Sequence, residues 1–247
     1  MGFDTRYWGP SGWELFHLIA FKSENPEKIL GMMKDVLPCK FCRESTAQYT
    51  EELPLKEDPG KWLYDIHNKV NQKLRSQCMN DPQVINPGPD PSFDEIKKRY
   101  ESLKPSKVPG RDFLFSIAAN YPEIPLQEQK EVQQKFLSAL SETYPFKSLQ
   151  EVFRRYLSQN SPNLENQQTY MKWMYGLLEK LSEKIDVKIP SYKEYVQKVM
   201  YYKSGCSTKS YKGKTCRNLK GGKRTKKRDH KRTRRIVCKN LLICVSK

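Results

Sequence analysis

Apolar side chains recur at helical spacing along the first hundred residues. Trp13, Phe16, His17, Ala20 and Phe21 fall at i, i+3, i+4, i+7 and i+8, one face of an amphipathic helix. Pro26 can open a second helix carrying Ile29, Leu30, Met33 and Val36, since a first turn does not need its missing N–H. Pro38 closes that helix, and Cys39 begins a third that runs to about Leu53. Pro59 and Gly60 precede a fourth, with Trp62, Leu63, Ile66, Val70 and Leu74 on one face. Asp, Asn, Pro and Gly crowd 80–91, which predicts a loop. Ser92 and Glu95 have the spacing of a capping box and predict a short fifth helix to about Leu103. The expected fold is all-α: a four-helix bundle with a short fifth helix over 1–103, a linker at 104–110, and a second helical domain over 111–202.

The second domain reads as a degraded copy of the first. Gly12 to Ala20 lines up with Gly110 to Ala118, Leu37 to Cys42 with Tyr144 to Leu149, and Lys61 to Val70 with Lys172 to Leu181. The order is kept and the offset grows, as loop insertions produce. The copy has Phe146 and Leu149 in place of the two cysteines and Leu178 in place of His67. It would keep the bundle without its chemistry and could dock on the first domain as a built-in dimer partner, or bind substrate; the chain could instead form a homodimer through its first domain. The alternative is chance alignment of helical sequence.

Charge separates the body from the tail. The net charge is +17, yet residues 203–247 hold 17 Lys/Arg and one Asp, so the first 202 residues are nearly balanced. This Gly-, Lys- and Arg-rich tail has few apolar side chains to offset the entropy of ordering, and is expected to be largely disordered. Its runs Lys223–Arg228 and Lys231–Arg235 suit non-specific contact with nucleic-acid phosphates through counterion release, or a localisation signal, or simple solvation. They lack the aromatics that base stacking uses. No N-terminal signal peptide and no transmembrane helix are expected, so no membrane association; the apolar run 236–245 is too short to span.

The candidate chemistry lies in Cys39-Lys40-Phe41-Cys42. A Cys-x-x-Cys can be redox-active or metal-binding. A zinc half-site needs two further ligands, and no second Cys-x-x-Cys or His-x-x-x-His lies nearby; no metal is expected. A helix start lowers thiol pKa through the positive end of its dipole, and Lys40 and Arg43 add positive charge. His17 and His67 sit on apolar helix faces, and Asn68 and Asn71 follow His67. Such polar groups inside a bundle need partners, which the edges of a planar heterocycle supply. No Gly-x-Gly-x-x-Gly occurs, so a Rossmann-type site is not supported.

Set between Trp8-Gly9-Pro10-Ser11-Gly12-Trp13 and His67-Asn68-Lys69-Val70-Asn71, the cysteine pair resembles that of the Erv/ALR family of FAD-dependent sulfhydryl oxidases, over roughly residues 5–102. The pseudo-duplicated second domain and basic tail are similar to its giant-virus, mimivirus-like branch. The resemblance implies a helical bundle holding FAD, with Cys39 and Cys42 catalytic. Cys39 would exchange with dithiols of protein substrates. Cys42 would lie against the flavin as the charge-transfer thiolate, and O2 would accept the electrons and leave as hydrogen peroxide. Trp8, Trp13, His17, Phe21, Cys42, Tyr64, His67, Asn68, Val70, Asn71 and Leu74 would line the cofactor, with Lys73, Arg75, Arg99 and Tyr100 as candidates for its phosphates and adenine rim.

The chain departs from the family pattern in lacking a further structural Cys-x16-Cys bridge, whose places Ala47 and Tyr64 take. A separate shuttle pair is also common in the family. Cys206 with Cys216, or Cys238 with Cys244, are candidates, unless the tail cysteines are incidental thiols; Cys78 reads as an unpaired small residue. Location in the host cytoplasm or the virion is implied. The rival reading is a non-enzymatic virion or nucleic-acid-binding protein on the same fold.

Overall fold

The structure is a computed structural model and describes residues 2–56, 58–81, 84–206 and Cys216. Its regular elements are helices: α1 (Thr5–Lys22), α2 (Glu27–Leu30), α3 (Met33–Val36), α4 (Lys40–Glu52), α5 (Pro59–Cys78), α6 (Phe93–Ser102), α7 (Arg111–Asn120), α8 (Gln127–Thr143), α9 (Lys147–Gln159), α10 (Gln167–Lys184) and α11 (Tyr192–Tyr201). The single helix expected over 26–36 is two short ones parted at Gly31, where the absent Cβ weakens helical preference. Ser92 and Glu95 do form the capping box that starts α6.

Caps account for the other starts. Asp4 accepts from the Arg6 backbone N–H at the start of α1, and Asp58 from that of Lys61 at the start of α5. Cys39 caps α4, its Sγ 3.1 Å from the Cys42 backbone nitrogen.

The two halves repeat specific contacts. Trp62 donates its indole N–H to the carbonyl of Leu53, the C-cap of α4, at 2.7 Å. Trp173 donates to the carbonyl of Asn160, the C-cap of α9, at 2.8 Å. The Tyr64 hydroxyl donates to the Pro91 carbonyl at 2.9 Å, and the Tyr175 hydroxyl to the Pro190 carbonyl at 3.0 Å. Ser191 and Glu194 box the start of α11 as Ser92 and Glu95 box that of α6. Phe146 caps α9 where Cys39 caps α4, although its φ of 68° places a bulky side chain in the left-handed region.

The halves join through α1 and α7. Phe113 is fully buried and packs on Trp8 and Phe16, with ring centroids 5.8 and 5.3 Å apart. A Cβ on Gly12 would sit 3.2 Å from that ring, so the small residue lets α7 approach. Ser11 Oγ accepts from the Asp112 and Phe113 backbone nitrogens at 3.2 and 3.4 Å. One core runs through both halves, including Phe16, Leu63, Phe113, Leu149, Leu177 and Leu178.

The tail is expected to be disordered over most of its length, and its described residues, 203–206 and Cys216, are tied to the N-terminal segment. Lys203 pairs antiparallel with Phe3, and Cys206 is disulfide-bonded to Cys216. The basic runs and Cys238 and Cys244 lie outside the described residues.

Candidate functional site

Cys39 and Cys42 form a disulfide with their Cα atoms 5.1 Å apart. One helical turn between them brings the sulfurs together, and the first turn of α4 supplies free N–H groups. The Cys42 N–H pointing at Cys39 Sγ favours a thiolate there once the pair is reduced. Arg43 donates to the Leu37 carbonyl at 2.6 Å, and that carbonyl also accepts from the Cys39 N–H at 2.8 Å. A half-buried guanidinium thus ties down the turn that carries the disulfide. Cys39 is fully buried, whereas Cys42 is half-buried.

Cys42 opens on a cleft of about 170 Å³ between α1, α4 and α5. Its walls are mainly apolar: Trp8, Trp13 and Phe16 from α1, Phe41 from α4, Val70 and Leu74 from α5. Ser45, Thr46, Lys73 and Gln77 add polar groups, and Val84 and Ile85 also line the cleft. The register explains the wall. Cys42, Ser45 and Thr46 share one face of α4, and Val70, Lys73, Leu74 and Gln77 share one face of α5. Lys73 donates to Ser45 Oγ at 2.5 Å, and burial lowers its pKa against the opposing pull of Glu44.

Next to this cleft lies a histidine pair. His17 Nε2 and His67 Nδ1 are 3.0 Å apart, both rings are buried, and Trp13 stacks on His67 with centroids 3.7 Å apart. Tyr100 stacks on His17 at 4.8 Å, and Phe21 on Tyr100 at 6.3 Å. Burial, with Arg99 adding a smaller push, lowers the His17 pKa to about 3. Burial and the neighbouring His17 lower that of His67 well below its ordinary value. Both rings are therefore neutral at pH 7. Among the described residues their outer nitrogens, His17 Nδ1 and His67 Nε2, have no partner, and neither does Asn71 Oδ1. Whichever neutral tautomers share the His–His bond, one outer N–H and one outer lone pair are left unsatisfied. Each such buried group costs about 1–3 kcal/mol.

The structure gathers Trp8, Trp13, Cys42, Val70, Lys73 and Leu74 around the cleft, and His17, Phe21, His67 and Tyr100 in the adjoining stack. Tyr64 packs edge-on against Phe93, and Asn68 is half-buried one residue past His67. Arg75 is engaged elsewhere: it pairs with Asp90 at 2.7 Å and donates to the Gly88 carbonyl at 2.8 Å. Asn71 Nδ2 donates to the same Asp90 at 2.8 Å. Burial acts to raise the Asp90 pKa, but the bonds from Arg75 and Asn71 outweigh it and hold the carboxyl below its usual range. Arg99 lies over the Tyr100 ring at 5.6 Å. Asp90, Val84 and Ile85 were not foreseen. They come from the 80–91 loop, where no periodicity says which way a side chain points. Phe16, Phe41 and Ser45 were foreseeable from helical register alone.

A helical bundle with a redox-type Cys-x-x-Cys at a helix start, facing an aromatic cleft and a buried histidine pair, defines a class of dithiol–disulfide proteins. The chain belongs to the Erv1 / Alr family, whose sequence pattern matches residues 10–87 and 112–200. It is 32% identical over 85 residues to the mitochondrial FAD-linked sulfhydryl oxidase of Saccharomyces cerevisiae, covering 29% of this chain and 45% of that one. It is 30% identical over 94 residues to a probable FAD-linked sulfhydryl oxidase of Acanthamoeba polyphaga mimivirus, covering 32% of this chain and 66% of that one. The chain thus spans about half to two thirds of the length of these curated relatives. No solved structure matches it.

Proposed function

We propose that this chain is an FAD-dependent thiol oxidase that makes disulfides in protein substrates, with O2 as the final acceptor. The observation that carries the reading is Cys42 on the wall of an aromatic cleft, next to buried imidazole and amide groups that lack partners. The residues fit the cofactor. Trp8, Trp13, Val70 and Leu74 offer flat apolar surface, and His17, His67 and Asn71 offer the unsatisfied polar atoms. At 170 Å³ the cleft is smaller than the roughly 300 Å³ of a typical ligand pocket. Loading would therefore require the cleft to widen.

Cys39 and Cys42 exchange with an incoming dithiol: one substrate thiolate attacks the disulfide, and the second releases the substrate as its own disulfide, leaving two protein thiols. Bound FAD would supply two-electron acceptance from that dithiol and delivery to O2, giving hydrogen peroxide. The first-turn N–H groups of α4 stabilise the thiolate.

The second half, 111–202, is read as a degenerate copy lacking the cysteines and docked as an internal partner. The matched tryptophan and tyrosine hydrogen bonds support this, as does the paired match of the family pattern. Leu149 and Leu178, at the positions of Cys42 and His67, are fully buried and fill that half with side chains. Viral protein substrates, a host-cytoplasm or virion location and non-specific nucleic-acid contact by the basic tail are extensions of the same reading. The mimivirus relative and the tail's charge support them.

The test is a spectrum. Purified protein should be yellow, and the flavin absorbance should bleach when a dithiol is added without oxygen and return with air. A colourless protein that retards DNA would favour the non-enzymatic reading.

A further inference from the structure

The second disulfide, Cys206–Cys216, lies against the opposite end of the chain. A Cβ on Gly2 would fall 2.1 Å from Cys206 Sγ and 3.0 Å from Cys216 Sγ, so the bridge packs on a residue that must have no side chain. From there a strap of three residues is bonded on both sides. The Ser204 backbone N–H and hydroxyl both donate to the Gly2 carbonyl, at 2.8 and 3.0 Å. The Asp4 N–H donates to the Tyr202 carbonyl at 2.8 Å, and the Thr5 N–H to the Cys216 carbonyl at 3.1 Å. Tyr7 stacks flat on Tyr202, centroids 4.5 Å apart.

The strap touches the redox site at two points. The Phe3 N–H donates at 3.0 Å to the carbonyl of Pro38, the residue before Cys39. The Phe3 carbonyl accepts from the Trp8 indole N–H at 3.2 Å, and Trp8 is a wall of the cleft. Phe3 and Asp4 are fully buried.

We propose that Cys206–Cys216 is a structural clasp whose role is to position Cys39 and Trp8 through the Gly2–Asp4 strap. The alternative role is a relay that takes electrons from substrate and passes them to Cys39–Cys42 by thiol–disulfide exchange, which needs direct contact between sulfurs. Access to at least one sulfur decides between the two roles: Cys39–Cys42 keeps one half-buried sulfur, that of Cys42, beside the fully buried Cys39. A relay disulfide must be attacked in line by a substrate thiolate. Here Cys206 is 4% exposed, Cys216 has no exposed surface, and the strap covers both sulfurs on one side. A clasp needs that shielding, since reduction would turn the bridge into two thiols and free the strap. The inference rests on the reading of Cys39–Cys42 as the reacting pair.

The decisive measurement uses the intact protein without air or substrate. It is equilibrated in glutathione buffers of increasing reducing strength, free thiols are trapped by alkylation, and each pair is followed by peptide mass spectrometry. Cys39–Cys42 should open first. Cys206–Cys216 should stay closed at reducing ratios at least tenfold beyond that midpoint. If the two pairs open together, or the tail pair opens first, the clasp is refuted and a relay takes its place. Oxygen is excluded and the tail pair is read from its own peptides, so failure of the oxidase reading shows separately in the spectrum above.

The variant C206S/C216S supplies the positioning readout. Amide exchange at Phe3, Asp4 and Thr5 should accelerate at least tenfold, and the glutathione midpoint of Cys39–Cys42 should shift. Unchanged exchange and an unchanged midpoint, with turnover lost on protein dithiols only, would overturn the proposal. Gly2→Ala retains both cysteines and should leave them open to alkylation in the native protein; an intact bridge with protected strap amides in that variant would also overturn it.

Discussion

The buried histidine pair makes stability depend on pH in a range where little else titrates. The chain has three histidines, and the third, His230, lies in the basic tail. Carboxylates titrate near pH 4 and contribute little above pH 5. In the unfolded chain His17 takes up a proton around pH 6.5; in the folded protein burial lowers its pKa to about 3. The unfolded state thus binds more protons below pH 6.5, and stability falls as pH falls. Between pH 8 and pH 5 the loss from His17 alone integrates to about 2 kcal/mol. His67 is shifted the same way, by burial and by the neighbouring His17, and steepens the loss. Urea unfolding, followed by tryptophan fluorescence at half-unit pH steps, measures this. His17→Gln, which keeps a neutral polar group near the position of Nε2, should make the slope shallower by the His17 contribution. A flat stability between pH 8 and pH 5 in the parent protein would show that the pair is not buried as described.

Three further outcomes follow from the packing. Trp13→Ala should open the stack on His67 to water and reduce the acid slope just described; a slope as steep as the parent's would show that Trp13 does not shield the pair. Phe113→Ala should cost about 3–5 kcal/mol in urea unfolding, because the ring is fully buried between the halves; a cost below about 1 kcal/mol would mean that α1 and α7 do not share a core. Cys42→Ser should abolish dithiol-dependent oxygen uptake, measured with an oxygen electrode, while leaving bound flavin in place; unchanged uptake would remove Cys42 from its assigned role.

Periodicity was enough to place the helices that carry the site. α1, α4 and α5 start at or near residues whose chemistry favours helix starts: Asp4, Cys39, and Asp58 with Pro59. The capping box at Ser92 is a local signal and holds in the structure. The stretch 26–36 misleads because its apolar spacing continues across Gly31, and spacing does not register a break in the backbone. The ordered start of the tail was hidden for a related reason. Its composition cannot repay ordering by hydrophobic burial, but a disulfide and a two-sided strap can.

Sequence alone picked out the candidate residues and the helix each rides on, because helix register and cysteine spacing are local properties. Only the tertiary structure decided what those residues meet. It paired His17 with His67 across fifty positions and took Arg75 up against Asp90. It also seated Phe113 of one half on Trp8 and Phe16 of the other, and tied the tail to Gly2. Each of these contacts joins segments distant along the chain, and packing and loop closure fix them together rather than one residue at a time.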